Sequence, residues 1–484
     1  MSVSDLNPQL LWSNFDKINA VPRPSKKEEE IIQFMIDFGE NLGLETLKDS
    51  IGNVIIKKSA SPGMENKKTV ILQSHLDMVH QKNGDTVFDF EKQGIEMLIN
   101  DDWVSANGTT LGADNGIGVA AIMGILESKD IPHPAIEALF TIDEETGMTG
   151  AKKMDGSMFN GEILLNLDTE DDDELSIGCA GGIDTNTYYK YESVAIESNK
   201  SFKKISIRGL VGGHSGMDIH KGRGNANKWM SRVLFELSKS IDFNLISFQG
   251  GSLRNAIPRE ADASIAINSN DIKLLNQKLV DLTDVFHAEY ASIEPELIIS
   301  LTDSNKSDHC LSKNDQTKII NTLCSVQNGV FRMSPEFEGL VETSSSLAKV
   351  DIGNGEFTTQ SLQRSSVEST KDEIAMTIQC TFKNMGCEVV QEGDYPGWRP
   401  NSSSEILELM EALYIEMFHE KPNVKACHAG LECGILGKHL PEVDMISFGP
   451  NIRAAHSPDE KVQISSVQKF WEFYLETLKR TPNK

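Results

Sequence analysis

Five short stretches of the sequence carry side chains that bind metals or move protons, and each follows an apolar run. The first, SHLDMVH, comes directly after Val70, Ile71 and Leu72. In an extended segment residues two apart point the same way, so His75 and Asp77 share a face. That suits a metal-binding imidazole whose other nitrogen is held by a carboxylate. Alone, the pair fits a core histidine capped by an aspartate equally well. The second stretch, GTTLGADNGIGVAAIMGI, sets Asp114 among small residues at the start of a strongly apolar segment. An aspartate there can be a helix N-cap, but the glycines around it (Gly108, Gly112, Gly116, Gly118) point to an unusual backbone path. Their spacing matches neither phosphate-binding loop pattern.

In LFTIDEETGMTGA, Glu144 and Glu145 stand side by side at the end of an apolar run. An exposed turn accommodates such a pair. So does a site in which one carboxylate holds a metal and the other takes a proton from water, two roles that need different environments. ILLNLDTEDDDE puts Asp168 after a further run, ahead of Asp171, Asp172, Asp173 and Glu174, which read as a solvated loop. Far downstream, ISFGPNIRAAHSPDE offers His456. Each signal is weak singly. Together, two imidazoles (His75, His456) and three carboxylates (Asp114, Glu145, Asp168) suit a pair of zinc ions. Asp114 shared between them leaves two further ligands for each metal and room for a water, whose pKa zinc lowers towards about 7. Acyl-enzyme chemistry has no comparable support: the chain lacks a Gly-x-Ser-x-Gly elbow and flanks no cysteine like a catalytic thiol.

The elements that must position these residues are legible as apolar runs alternating with helical patterns. Runs at 54–56, 70–72, 138–142 and 163–167 read as buried strands, and 116–127 as a helix. Such alternation predicts an α/β fold with a mostly parallel sheet, whose ligands gather beyond the carboxyl ends of its strands. Ser25 with Glu28 reads as a capping box before a helix carrying Ile31, Ile32, Met35 and Phe38, with Gly43 as its stop. From about Gly182 the texture changes. Residues 204–207, 263–267 and 375–379 alternate apolar and polar as half-exposed strands do, with helices expected near 225–238 and 272–286. Ser402 with Glu405 reads as another capping box, and Val467, Phe470, Tyr474 and Leu478 mark one face of a final helix. The expected order is a catalytic domain over residues 1–184, an inserted α+β lid over 185–396, and the rest of the catalytic domain over 397–484.

At 484 residues the chain is too long for a single compact core. Its net charge of −26 repels phosphate backbones and anionic lipids, which argues against nucleic-acid and membrane-surface roles. Seven scattered cysteines without a Cys-x-x-Cys pair fit a reducing compartment. The N-terminal stretch lacks a basic start followed by an apolar segment, and no run of about 18 apolar residues occurs. The cytoplasm is the expected location.

The series SHLD, GADNG, DEETG, NLD and AAHSPDE resembles the di-zinc exopeptidases that include aminoacylases, glutamate carboxypeptidases and tripeptidases. RPSKKEEE, GGHSGMDIHKGRGNA, RNAIPRE and HAGLECG are similar to the aminoacyl-histidine (Xaa-His) dipeptidases over essentially the whole chain. The resemblance implies two Zn2+ per subunit, with manganese or cobalt as substitutes. His75 and Asp168 would hold one ion, Glu145 and His456 the other, and Asp114 would bridge both, followed by a cis peptide bond to Asn115. It also implies that Asp77 orients His75, that Glu144 is the general base, that His214 stabilises the oxyanion, and that Asn255 contacts substrate. His428 and Glu432 would lie in a loop near the substrate. The implied reaction is metal-dependent hydrolysis of dipeptides, preferentially Xaa-His and including β-alanyl-histidine. N-acyl amino acid deacylation and tripeptide cleavage are the alternatives, and a non-catalytic peptide-binding homologue is a remote one. Relatives supply the oxyanion histidine either across a lid dimer or from a doubled lid within one chain, and a homodimer is favoured.

Overall fold

The computed structural model describes residues 2–428 and 430–484. It divides into two compact units. The first comprises Met1–Gly178, Trp398–Ala426 and Leu431–Lys484, and the second Cys179–Gly397 with Cys427–Gly430.

An eight-stranded sheet organises the first unit. Its order is Glu45–Lys48, Val54–Lys58, Ile136–Thr141, Val70–His75, Ile163–Asn166, Asp444–Ser447, Glu174–Cys179 and Asn423–Cys427. The sheet is mixed. Val70–His75 runs parallel to both of its neighbours, and Ile163–Asn166 also runs parallel to Asp444–Ser447. Val54–Lys58 pairs antiparallel with Ile136–Thr141 and with Glu45–Lys48. The central strands are buried along their whole length, as parallel strands covered on both faces are.

The Ala113–Glu127 helix is apolar all round and buried from Gly116 to Leu126, the pattern of a helix inside a core rather than at its surface. Gly118 permits its close approach. A methyl group there would lie 2.6 Å from the Leu167 carbonyl oxygen and also meet Asn115 Oδ1 and Ser74 Oγ. Because a backbone carbonyl cannot swing aside, Gly118→Ala should cost about 1–3 kcal/mol, read as a lowered urea midpoint at unchanged slope. The final helix, Ile464–Arg480, buries Val467, Phe470, Tyr474 and Leu478.

Three local expectations are corrected. The first-unit helix after the N-terminal segment is Glu29–Asn41, not one capped by Ser25. The Ser25 hydroxyl instead donates to the Met78 carbonyl, Lys26 turns the chain at φ +67°, and Gly43 follows the helix at φ +70°. Ser404, not Ser402, caps the Glu405–Phe418 helix, accepting from Leu407 N at 3.0 Å. Residues 375–379 belong to the helix Glu368–Met385. Five residues are too short to separate the two periods, and Ile374, Ile378, Phe382 and Met385 recur at the spacing of a buried helical stripe.

The second unit is built on a nine-stranded sheet whose described pairings are all antiparallel, running from Ile298–Asp303 at one edge to Glu388–Tyr395 at the other. Lys200–Arg208 and Ala261–Asn268 lie next to one another in it. The helices Ala226–Ser238, Ile272–Tyr290, Lys313–Ser325 and Glu368–Met385 accompany the sheet. Its core gathers Trp229, Leu234, Phe243, Leu245, Phe286 and Phe357.

Candidate active site

Adjacent strand ends of the first unit deliver the acidic and histidine residues to one place. His75 is the last residue of Val70–His75, and Asp77 follows it. Ile136–Thr141 leads through Asp143, at φ +54°, into the short helix that begins with Glu144 and Glu145. Ile163–Asn166 leads to Asp168. Asp114 and Asn115 depart from helical geometry at the entry of Ala113–Glu127, and the peptide bond between them is cis. His456 arrives differently. It lies between the Ile452–Arg453 and Lys461–Gln463 strands of a small antiparallel sheet and sits at φ +64°. A non-glycine residue held in the left-handed region is characteristic of functional sites.

Two donor groups share Asp114: His75, Asp114 and Asp168 form one, and Asp114, Glu145 and His456 the other. His75 Nε2 lies 3.2 Å from Asp114 Oδ1 and 3.5 Å from Asp168 Oδ1. His456 Nε2 lies 3.2 Å from Asp114 Oδ2 and 3.0 Å from Glu145 Oε2. The two oxygens of one carboxylate thus face two different imidazoles. A third group, His75 with Glu144 and Glu145, adjoins them. The His75 side chain is 1% exposed and that of His456 55%, so one group is deep and the other open.

Asp77 is fully buried behind His75, with Oδ1 at 3.4 Å from His75 Nδ1. Its two oxygens also accept from the backbone N–H groups of Glu144 at 3.0 Å and Glu145 at 3.3 Å. One carboxylate therefore fixes the imidazole and the turn bearing both glutamates. Burial opposes charge on His75, but Asp168, Asp114 and Asp77 more than offset it and hold its pKa well above the usual value. At Glu144, burial raises the carboxyl well above the ordinary range. His75 opposes that rise, and the charges of Asp168, Glu432 and Glu145 add to it.

Several residues serve this arrangement through bonds that no local motif reveals. Gln73 donates to Glu432 at 2.7 Å, and Thr141 does the same at 2.7 Å. Glu432 is 1% exposed, and burial lifts its carboxyl to about 7. Through these bonds it joins the Val70–His75 and Ile136–Thr141 strands. Glu460 and Arg23 are buried beside the Asp114 segment. The acidic run after Asp168 is more than a solvated loop: Asp172 accepts from Asn451 and Lys469, and Asp171 pairs with Arg453.

His214, Asn255 and His428 belong to the second unit. Gly213–His214 pairs with Ala256–Ile257, and Ser215 N donates to the Asn255 carbonyl, so His214 and Asn255 adjoin. His214 Nδ1 accepts from the backbone N–H of Gly216 at 3.1 Å and of Met217 at 3.0 Å. A neutral imidazole with Nδ1 accepting carries its proton on Nε2. Burial and then Arg364 lower the His214 pKa, which keeps the ring neutral. His428 Nε2 lies 2.8 Å from Ser344 Oγ, and burial, with Arg364 and other histidines, pulls its pKa down to about 3. Arg364 is buried, and its Nε has no hydrogen-bond partner among the described residues.

Residues 71–480 match the family described as Peptidase family M20/M25/M40. The chain is 40% identical over 482 residues to the cytosol non-specific dipeptidase of Escherichia coli K12, covering 100% of this chain and 99% of that one. It superposes on the crystal structure of an aminoacylhistidine dipeptidase from Vibrio alginolyticus with a TM-score of 0.97 and 42% identity, covering 100% and 99% of the two chains. The chain belongs to the M20/M25/M40 peptidases. An aminopeptidase from Bacillus cereus, with a TM-score of 0.56 and 16% identity over 98% of both chains, shares the fold.

As a member of that family the protein is a hydrolase, a metal-dependent peptidase. Its residues fit a metal on their own chemistry. Two imidazoles meet carboxylates at ligand spacing, and Glu145 Oε1 is buried without a hydrogen-bond partner among the described residues. Three clustered carboxylates also repel one another when no cation separates them. Treatment with a chelator should therefore abolish hydrolysis and lower the melting temperature. Metal returned at about 100 times its Kd should restore about 2.7 kcal/mol of stability, read by calorimetry on the stripped and reloaded protein. No helix among the described residues is long and apolar enough to cross a membrane.

Proposed function

We propose that this M20/M25/M40 peptidase is a cytoplasmic di-zinc dipeptidase that prefers Xaa-His substrates, β-alanyl-histidine among them. The observation that carries the two-metal reading is the shared carboxylate of Asp114, whose two oxygens face His75 and His456. His75, Asp168 and Asp114 would hold one ion, and Glu145, His456 and Asp114 the other. Bound there, the metal pair supplies Lewis-acid polarisation of the scissile carbonyl and acidifies water.

The protein's own groups then have separate tasks. Glu144 takes the proton from the attacking water and returns it to the leaving amine, for which a raised pKa is apt because the group must both accept and donate near neutrality. Asp77 orients His75 and, through the two backbone N–H groups it accepts from, the Glu144–Glu145 turn. His214 Nε2–H, fixed as a donor by the bonds to Nδ1, stabilises the oxyanion. Asn255 contacts the substrate. The dipeptide preference is supported by near-full-length likeness to two dipeptidases, and the histidine preference by the Vibrio alginolyticus enzyme's description. A homodimer is the favoured assembly.

A substrate panel tests this reading. Purified zinc-loaded protein is assayed on Xaa-His dipeptides including β-alanyl-histidine, other dipeptides, tripeptides and N-acetyl amino acids. Cleavage concentrated on Xaa-His dipeptides is the expected result. Equal cleavage of unrelated dipeptides would remove the histidine preference, and a preference for tripeptides or acyl amino acids would overturn the dipeptidase reading.

A further inference from the structure

The segment carrying Asp114 is held from both sides by buried charge. Glu460, 2% exposed, accepts from four successive backbone N–H groups: Leu111 at 2.8 Å, Gly112 at 3.0 Å, Ala113 at 2.8 Å and Asp114 at 3.2 Å. Consecutive N–H groups converging on one carboxylate form an anion-binding concavity, here closed by an acceptor more than 340 residues away. Gly112, at φ +71°, makes the turn. Arg23, also buried, donates to the Gly112 carbonyl at 2.6 Å and to Asn19 Oδ1 at 3.1 Å. Its other terminal nitrogen donates to the carbonyls of Leu76 at 3.1 Å and Asp77 at 3.3 Å. One guanidinium therefore ties the Asp114 segment to the segment that follows His75.

We propose that Glu460 and Arg23 are a pair of positioning residues that hold the Asp114 carboxylate between His75 and His456, and thereby set metal affinity and turnover rather than substrate binding. The inference rests on the two-metal reading above. Asp114 has two imidazoles to serve with two oxygens, so a small displacement of its backbone moves both donor groups at once. Glu460 and Arg23 each bear on that backbone without reaching either imidazole. Burying two charges to order one four-residue turn is costly unless they satisfy groups that would otherwise be orphaned. The four N–H groups and the carbonyls meet that condition. A carboxylate is suited to the first task because its two oxygens can accept all four bonds. A guanidinium is suited to the second because its planar fork presents two terminal nitrogens, one to each segment, in a fixed geometry.

The test uses Glu460→Gln, Glu460→Asp and Arg23→Lys in the full chain, with zinc affinity measured by competition with a chromophoric chelator well below each variant's melting temperature. In parallel, kcat and KM are measured on one cleaved dipeptide. Zinc affinity should fall about 10–100-fold in Glu460→Gln, with kcat reduced and KM little changed, and Glu460→Asp should recover part of both losses. Arg23→Lys should show the same split, and decides the matter if Glu460→Gln does not fold. Wild-type zinc affinity retained in folded variants, or a lowered melting temperature as the sole change, would overturn the proposal and leave the two-metal reading intact. A wild-type protein that binds no zinc and is indifferent to chelator would overturn that reading and this proposal with it.

Discussion

Glu144→Ala should lower kcat on dipeptides by about 10²–10⁴-fold while the dialysed protein keeps its wild-type metal content. The separation of the two readouts follows from the geometry. Each donor group built around Asp114 is complete without Glu144. The glutamate is instead placed by its backbone N–H, which donates to the buried Asp77, so the truncated variant keeps that anchor. What disappears is a carboxyl whose pKa is raised by burial and by neighbouring acids, and which is therefore able to carry a proton between water and amine. Metal analysis of the dialysed variant beside a steady-state assay checks this. A parallel loss of metal and activity would make Glu144 a ligand and pass the base to another group.

Asp114→Ala should have the largest effect of any single substitution on metal content. Its two oxygens face His75 and His456, so its loss leaves both donor groups a ligand short. Of the two groups that share Asp114, Asp168→Ala and Glu145→Ala each take a donor from one. Removing even an outer partner of a ligand typically costs 10–100-fold in affinity, and loss of a shared ligand should exceed about 100-fold at both positions. Titration with zinc is expected to show two weakened sites in Asp114→Ala and one each in the other two variants. A single weakened site in Asp114→Ala would end the bridging assignment.

The parts of this site that were legible in the sequence are those where chemistry and local structure coincide. His75, Glu144, Glu145 and Asp168 each follow an apolar run that became a buried strand, and a strand end delivers what comes next to the sheet's rim. The Asp114 turn announced itself by its glycines, because a residue without Cβ is needed where the backbone turns through positive φ or another group comes close. The family motifs then imply which of these residues are ligands and which are their neighbours.

Other features could not be read along the chain. Helix starts at Ser25 and Ser402 were drawn by capping patterns that tertiary bonds overrode, as when the Ser25 hydroxyl went to Met78. Residues 375–379 satisfied two periods, and only packing chose the helix. Glu432 stands in a motif that carries no sign of its bonds to Gln73 and Thr141, which lie 359 and 291 positions away. Glu460 and Arg23 stand in AAHSPDE and RPSKKEEE without any stated task until folding brings the one to four N–H groups at Leu111–Asp114 and the other to Gly112 and Asp77. Which groups can bind metal and carry protons is legible along the chain, because side-chain chemistry and strand ends are local properties. The tertiary structure decided which carboxylate was shared and which charges were buried to hold it, because those depend on residues hundreds of positions apart meeting where water is excluded.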